Sequence, residues 1–296
     1  MPRIATVDVG TNTALLLVAD VQNGGLVPVY EEDRFVRLGQ GVDAERRLAP
    51  EAMARVLDAL QAYKAKAEAL GAEAFVIGAT SASRDAQNLD DLAGRVRDDL
   101  GLDYAVISGR EEALWSFRGA CSASPDLAAA CVLDIGGGST EIVAGATDGE
   151  PDRVSVNVGS VRVTERFFSS LPPSSDEVAA AERFVADAFD GLKADASLPL
   201  LGASGTTRAL GALEHGAPAT PITTANVRAW RDRLLTMDAA EVLALDPARM
   251  QGRADVFAAG VLILDAFLAR FGFAAITPSP RGLRHGLALR WLAHRM

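Results

Sequence analysis

Two short stretches of the chain carry the same set of chemical groups. They are Asp8-Val9-Gly10-Thr11-Asn12-Thr13 and Asp134-Ile135-Gly136-Gly137-Gly138-Ser139-Thr140-Glu141. Tight turns of this composition present backbone N–H groups and hydroxyls that can cradle a phosphate. Gly10, Thr11 and Asn12 would do so in the first, and Gly136, Gly137, Gly138 and Ser139 in the second. Asp8, Asp134 and Glu141 are carboxylates of the kind that hold Mg²⁺ directly or through water, since this ion keeps several of its waters. Either loop alone also reads as a tight hairpin with an incidental acid. Two of them at equivalent places in a repeat favour the shared chemistry.

Three further clusters add to this. Ser108-Gly109-Arg110-Glu111-Glu112-Ala113 follows a predicted strand. Ser108 and Glu111 have the spacing of a capping box, with Ser108 as N-cap and Glu111 at the third helical position. Glu112 is left without a structural job. It reads either as a solvated glutamate at a helix start or as a base that takes a proton from an attacking water. Arg84 ends the small, hydroxyl-rich run Gly78-Ala79-Thr80-Ser81-Ala82-Ser83. It is either a surface arginine on a polar loop or a bidentate phosphate ligand. Ser204, Gly205 and Thr206 sit between a predicted strand and helix, where a helix N-terminus could take an anion or where only a turn is needed.

The elements that must position these groups repeat too. Ile4 to Gly10 and Cys131 to Gly136 each read as a buried strand running into Asp-x-Gly. Thr13 to Ala19 and Glu141 to Gly145 read as the second strands. Glycine permits the tight turn and a close approach of backbone to ligand. The periodicity predicts a third strand over Leu26 to Glu32 after an Asn-Gly-Gly turn. It predicts helices over Glu51 to Leu70 and Leu89 to Leu100, and strands over Ala74 to Gly78 and Ala105 to Ile107. In the second half it predicts a strand near Val154 to Val158, a helix from Val161, a helix ending near Leu192 and a strand over Leu198 to Leu201. The last elements are helices over Ala254 to Phe271 and Leu283 to Arg295 around a strand at Ala274 to Thr277. Two similar α/β halves predict a cleft between them, where ligands usually bind. The border is expected between Gly119 and Ala129.

The composition of the 296 residues excludes several classes. Net charge is −10, which argues against general nucleic-acid binding. It does not exclude a polyanionic substrate, because screening over about 8 Å leaves the local field in charge. Lysine occurs only at Lys64, Lys66 and Lys193, so the basic residues are mostly arginine, the better bidentate phosphate ligand. The first apolar run is broken by Asp8 and resembles no signal peptide. Val256 to Leu264 is too short to span a bilayer. A cytoplasmic protein without a membrane partner is expected. Cys121 and Cys131 read as small buried apolar residues. His215, His285 and His294 form no cluster, which argues against zinc catalysis.

These five motifs, in this order, resemble the exopolyphosphatase / guanosine pentaphosphate phosphatase (Ppx/GppA) family, from Ile4 to Gly282-Leu283-Arg284. Sugar kinases and actins share the Asp-x-Gly loops but not their combination with the Ser108-to-Ala113 stretch. The resemblance implies an α/β fold of two ribonuclease H-like domains, of the actin-like ATPase and sugar kinase superfamily, facing an interdomain cleft. The expected domains are residues 1–122 and 123–296, the helix at about 284–296 being a candidate to pack back on the first. It implies hydrolysis of a phosphoanhydride in inorganic polyphosphate or guanosine pentaphosphate, with Mg²⁺ or alternatively Mn²⁺, and it is compatible with a homodimer. Glu112 matches the family's catalytic base. Asp134, Gly136, Gly137 and Glu141 match the loop that holds metal and terminal phosphate. Asp8, Thr11 and Asn12 match the first phosphate loop, Arg84 a phosphate-gripping arginine, and Ser204, Gly205 and Thr206 a further loop lining the cleft. The chain departs from the pattern near its end. His285 stands where an acid often follows Gly-Leu-Arg, and Pro280-Arg281 replaces a more acidic step. Without the helical C-terminal domains of longer members, shorter polyphosphate chains are the expected substrates. Two rival readings stay open on the same fold: an ATP-dependent small-molecule kinase and a non-catalytic nucleotide-binding regulator.

Overall fold

Each Asp-x-Gly stretch folds as the turn of an antiparallel hairpin. The computed structural model describes residues 2–22, 24–217 and 219–295. Asn23, in the turn expected before the third strand, lies outside the described residues. The chain divides into two units, Met1–Ser122 with Arg281–Met296, and Ala123–Pro280.

In the first unit the hairpin is β1 (Arg3–Val9) with β2 (Thr13–Gln22), extended by β3 (Gly25–Phe35). Short α1 (Val42–Glu45) and long α2 (Pro50–Ala69) cross over to β4 (Ala74–Ala79), which pairs parallel with β1. A parallel pair needs such a crossover. The sheet order is β3-β2-β1-β4. After β4 come α3 (Ser81–Asp85), α4 (Leu89–Leu100) and α5 (Gly109–Cys121). Strand alternation sorts the faces. Ala5, Val7 and Val9 pack with Leu16, Val56, Leu60, Leu92 and Val96. Ile4 on the other face joins Leu17, Ala19 and Ala288. By the same period Asp8 shares the face of Ile4 and Thr6.

The strand expected at Ala105 to Ile107 is reduced to one bridge, between Ala79 and Val106. The chain makes two bonds there, Ala79 N–H to Ala105 O (2.8 Å) and Ile107 N–H to Ala79 O (3.0 Å). It then leaves the sheet edge for the cap of α5.

The second unit runs β5 (Ala129–Ile135), β6 (Thr140–Ala146), β7 (Asp152–Val156), α6 (Ser160–Phe167), α7 (Ser175–Phe189), β8 (Leu200–Gly202) and α8 (Gly205–His215). It continues through β9 (Ile222–Thr223), α9 (Thr224–Leu234), α10 (Ala239–Leu245), α11 (Pro247–Met250), α12 (Phe257–Phe271) and β10 (Ala275–Pro278). The sheet order is β7-β6-β5-β8-β10-β9. Cys131, Leu133 and Ile135 share a core with Phe189, Val261, Leu264 and Phe267. Helix α12 is apolar almost all round, which fits a helix buried in a core.

The last helix, α13 (Leu283–Ala293), belongs to the first unit. Thr6 Oγ1 donates to the Arg284 carbonyl at 2.7 Å. Helices α13 and α5 meet backbone to backbone. A Cβ on Gly119 would run into the Gly282 carbonyl, and one on Gly286 into the Trp115 carbonyl. Among the described residues no helix is long and apolar enough to cross a membrane.

Candidate active site

In the first unit, Gly10 N–H closes the turn on Thr13 O at 2.8 Å. The segment after β3 then clips to the turn from outside. Val36 and Arg37 N–H both donate to Asn12 O (3.0 Å each), and Gly39 N–H donates to Thr11 O (2.8 Å). Parallel pairing sets Gly78 beside Asp8, and Thr80 N–H reaches Val9 O at 3.1 Å. The next helix, α3, delivers Arg84. Its Nη1 donates to Ile107 O at 3.0 Å and to Glu112 Oε2 at 2.6 Å.

The cap of α5 explains why Glu112 is the glutamate that turns inward. Ser108 Oγ accepts from Glu111 N–H at 3.2 Å, and Glu111 Oε2 accepts from Ser108 N–H at 3.0 Å. The Ser108 N–H, its hydroxyl and Arg290 hold the Glu111 carboxyl below the usual glutamate range, against burial. Glu111 is therefore occupied. Glu112 is only 8 % exposed, and a carboxylate so buried needs a charged partner. Arg84 supplies it.

In the second unit, Gly136 N–H closes the loop on Ser139 O at 2.9 Å. Asp134 lies directly opposite Glu141 in the β5–β6 ladder, on the face away from Cys131, Leu133 and Ile135. Glu141 is 1 % exposed and accepts from Ser155 Oγ at 2.7 Å, Ser155 being its register partner on β7. Ala203 N–H donates to Leu133 O at 3.0 Å, so the Ser204–Thr206 loop starts beside the strand that carries Asp134. Ser204 caps α8, its Oγ accepting from Thr207 N–H at 3.2 Å. Arg253 Nη1 donates to Gly205 O at 2.9 Å.

Each unit thus gathers its own part of the sequence-derived set. Asp8, Gly10, Thr11, Asn12, Arg84 and Glu112 lie in the first. Asp134, Gly136, Gly137, Gly138, Ser139, Glu141, Ser204, Gly205 and Thr206 lie in the second. Sequence reasoning missed Ser155 and Arg162, whose Nε donates to Gly138 O at 2.7 Å. The β6–β7 register could have pointed to Ser155; nothing local points to Arg162.

Among the described residues no three His, Cys, Asp or Glu side chains gather to hold a metal. Mg²⁺ does not require that, since one or two carboxylates with water and substrate oxygens suffice. The Asp134–Glu141 pair fits such a donor set. Both cysteines are buried, and burial pushes Cys121 up to about 11 and Cys131 up to about 12, which disfavours the thiolate. Two acids on β3 face the Arg284–His285 step. Arg284 pairs with Asp33 at 2.5 Å and Glu31 at 3.0 Å, and His285 Nε2 sits 3.3 Å from Glu31 Oε1.

Two α/β units, each opening on an Asp-x-Gly hairpin, define the actin-like ATPase fold. The sequence profile of the Ppx/GppA phosphatase family matches residues 17–295. Exopolyphosphatase 2 of Mycobacterium tuberculosis (strain H37Rv) is 36% identical over 315 residues, covering 98% of this chain and 98% of its own. The guanosine-5'-triphosphate,3'-diphosphate pyrophosphatase of Vibrio vulnificus is 31% identical over 99% of this chain, which spans 60% of that protein. The crystal structure of an exopolyphosphatase from Cytophaga hutchinsonii superposes with a TM-score of 0.88 at 26% identity, covering 99% of this chain and 98% of its own. The chain belongs to the Ppx/GppA phosphatase family.

Proposed function

We propose that this chain is an exopolyphosphatase, which hydrolyses the terminal phosphoanhydride of inorganic polyphosphate and releases orthophosphate. The observation that carries this reading is the ion pair of buried Glu112 with half-buried Arg84 behind a cap that occupies Glu111. Gly10, Thr11 and Asn12, and in the second unit Gly136 to Ser139 and Ser204 to Thr206, bind phosphate oxygens. Arg84 holds phosphate beside Glu112. Glu112 takes the proton of a water whose oxygen attacks the terminal phosphorus. The bridging P–O bond breaks, and the shortened chain leaves with the electron pair. Positioning and charge stabilisation dominate such transfers. In the second unit Asp134 and Glu141 would hold Mg²⁺ or Mn²⁺, which when bound would offset negative charge on the phosphates; Asp8 is the corresponding metal-holding candidate of the first unit.

The Vibrio relative supports a second substrate of the same chemistry, guanosine pentaphosphate, cleaved at the terminal phosphoanhydride of its 5′-triphosphate. The reading takes the protein as cytoplasmic, with a small polyanion rather than nucleic acid or membrane as partner, and as a homodimer by family analogy only.

The test is phosphate release from polyphosphate with Mg²⁺ for the wild type and for Glu112→Gln. A fall of about 10²–10⁴ is expected for loss of a general base. Undiminished release in the variant removes Glu112 from this role. Phosphorylation of a small metabolite from ATP without release from polyphosphate would favour a kinase. Binding without turnover would favour a regulator.

A further inference from the structure

Three consecutive carbonyls of the glycine loop end on one segment. Gly136 O accepts from Ser160 N–H at 2.9 Å, and Gly137 O accepts from Val161 and Arg162 N–H at 2.8 and 3.0 Å. Gly138 O accepts from Arg162 Nε at 2.7 Å. The start of α6 and one arginine side chain thereby take every carbonyl between Ile135 and Ser139. Gly159, just before α6, touches the loop so closely that a Cβ there would collide with the Gly137 carbonyl and the Gly138 nitrogen.

A trans peptide unit has its C=O and N–H pointing opposite ways. The carbonyl of Gly136 shares a peptide with the N–H of Gly137, Gly137 with Gly138, and Gly138 with Ser139. Turning three carbonyls onto α6 therefore turns three successive N–H groups away from it, in one direction. Such a run of N–H groups is an anion-binding concavity. Among the described residues the N–H groups of Gly137 and Gly138 meet no protein acceptor, although Gly138 is buried. A buried N–H without a partner is rare, so this direction is set for a ligand.

We propose that Arg162 is a positioning residue for phosphate binding: by holding the Gly138 carbonyl it fixes the last peptide of the loop with its N–H toward the phosphate oxygens. The inference rests on the phosphate-binding part of the reading above. Arg162 is itself only 7 % exposed, and a guanidinium bonded to a carbonyl is a charge-assisted contact of defined geometry. Without a donor on the Gly138 carbonyl that peptide would be free to rotate and to turn its oxygen at the anion.

Tripolyphosphate binding, measured by calorimetry without added metal and again with Mg²⁺, tests this. Arg162→Met, which keeps bulk and loses the donor, should weaken binding about tenfold or more. Arg162→Lys, which keeps a donor and the charge, should recover much of it. Equal affinity of Arg162→Met and wild type overturns the proposal. So does an equal loss in both variants that tracks a lowered melting temperature, because that is general packing. A wild-type measurement is independent of variant folding: tripolyphosphate should shift the amide resonances of Gly137 and Gly138 well beyond that of Gly94, and unmoved glycine amides overturn the proposal. Binding with these signatures but without phosphate release would sink the hydrolase reading and leave this one standing. A wild type that does not bind tripolyphosphate sinks both.

Discussion

Glycine to alanine inside a helix normally stabilises, and the contact of α5 with α13 should reverse the sign. Alanine is favoured over glycine by about 1 kcal/mol in a helix interior. Gly94 in α4 tests the rule in open space, since a Cβ there meets only Arg97 Nη2 at 3.9 Å. Gly94→Ala should therefore raise stability by about 0.4–1 kcal/mol. Gly286 in α13 gains the same helix term but places its Cβ on the Trp115 carbonyl. A backbone carbonyl in a helix cannot swing aside as a side chain end can. Overpacking costs about 1–3 kcal/mol and occasionally more, and this contact belongs at the upper end. The net expectation for Gly286→Ala is a loss of about 2 kcal/mol. At roughly 2–4 °C per kcal/mol for a domain of this size, its melting temperature should fall by several degrees while that of Gly94→Ala rises. Phosphate release should fall with it, because the displaced partner helix carries Glu112 in its first turn. Thermal melts followed by circular dichroism would measure both. If Gly286→Ala melts at or above the wild type, the backbone contact does not hold the two helices together as argued.

Two other perturbations have defined outcomes. Ser108→Ala removes the hydroxyl that accepts from Glu111 N–H, leaving the Glu111 carboxylate only the backbone N–H of residue 108, and should cost about 1 kcal/mol, with lower turnover as the first turn bearing Glu112 frays; a urea titration and an initial-rate assay would show it, and unchanged turnover would detach Glu112 from the cap. His285 is 1 % exposed, and burial lowers its pKa while Glu31 opposes and Arg284 and Arg281 add to the lowering. The folded state then binds fewer protons than the unfolded one. Stability is full above the unfolded value of about 6.5 and falls as pH drops through it. His285→Asn should flatten that slope between about pH 7.5 and 5.5 in melting curves, and parallel slopes would count against it.

What could be read from the sequence was what is local. The Asp8 and Asp134 hairpins follow from apolar runs broken by Asp-x-Gly, and the Ser108–Glu111 cap spans three residues. Glu112 shows the limit. Its sequence context is equally that of a solvated helix start. It is buried because Arg84, 28 positions away, reaches it. Arg162 was invisible for the same reason: its partner is a backbone carbonyl 24 positions away, and a carbonyl leaves no mark in a sequence. The weak edge at Ala105 to Ile107 was overestimated because strand propensity does not register that the chain must leave the sheet to start α5.

Helix α13 also bears on how the chain matures. The first unit is interrupted by the whole of the second, and it receives its final helix only from residues 283–293. Residues 123–280 all precede that helix in the chain, and without it Ile4, Leu17 and Ala19 lack Ala288 to cover them. The unit bearing Glu112 thus draws on segments from both sides of the second unit. A chain cut before Leu283 would keep the glycine loop of the second unit but lose the helix that packs against α5, so loss of phosphate release is expected of that truncation.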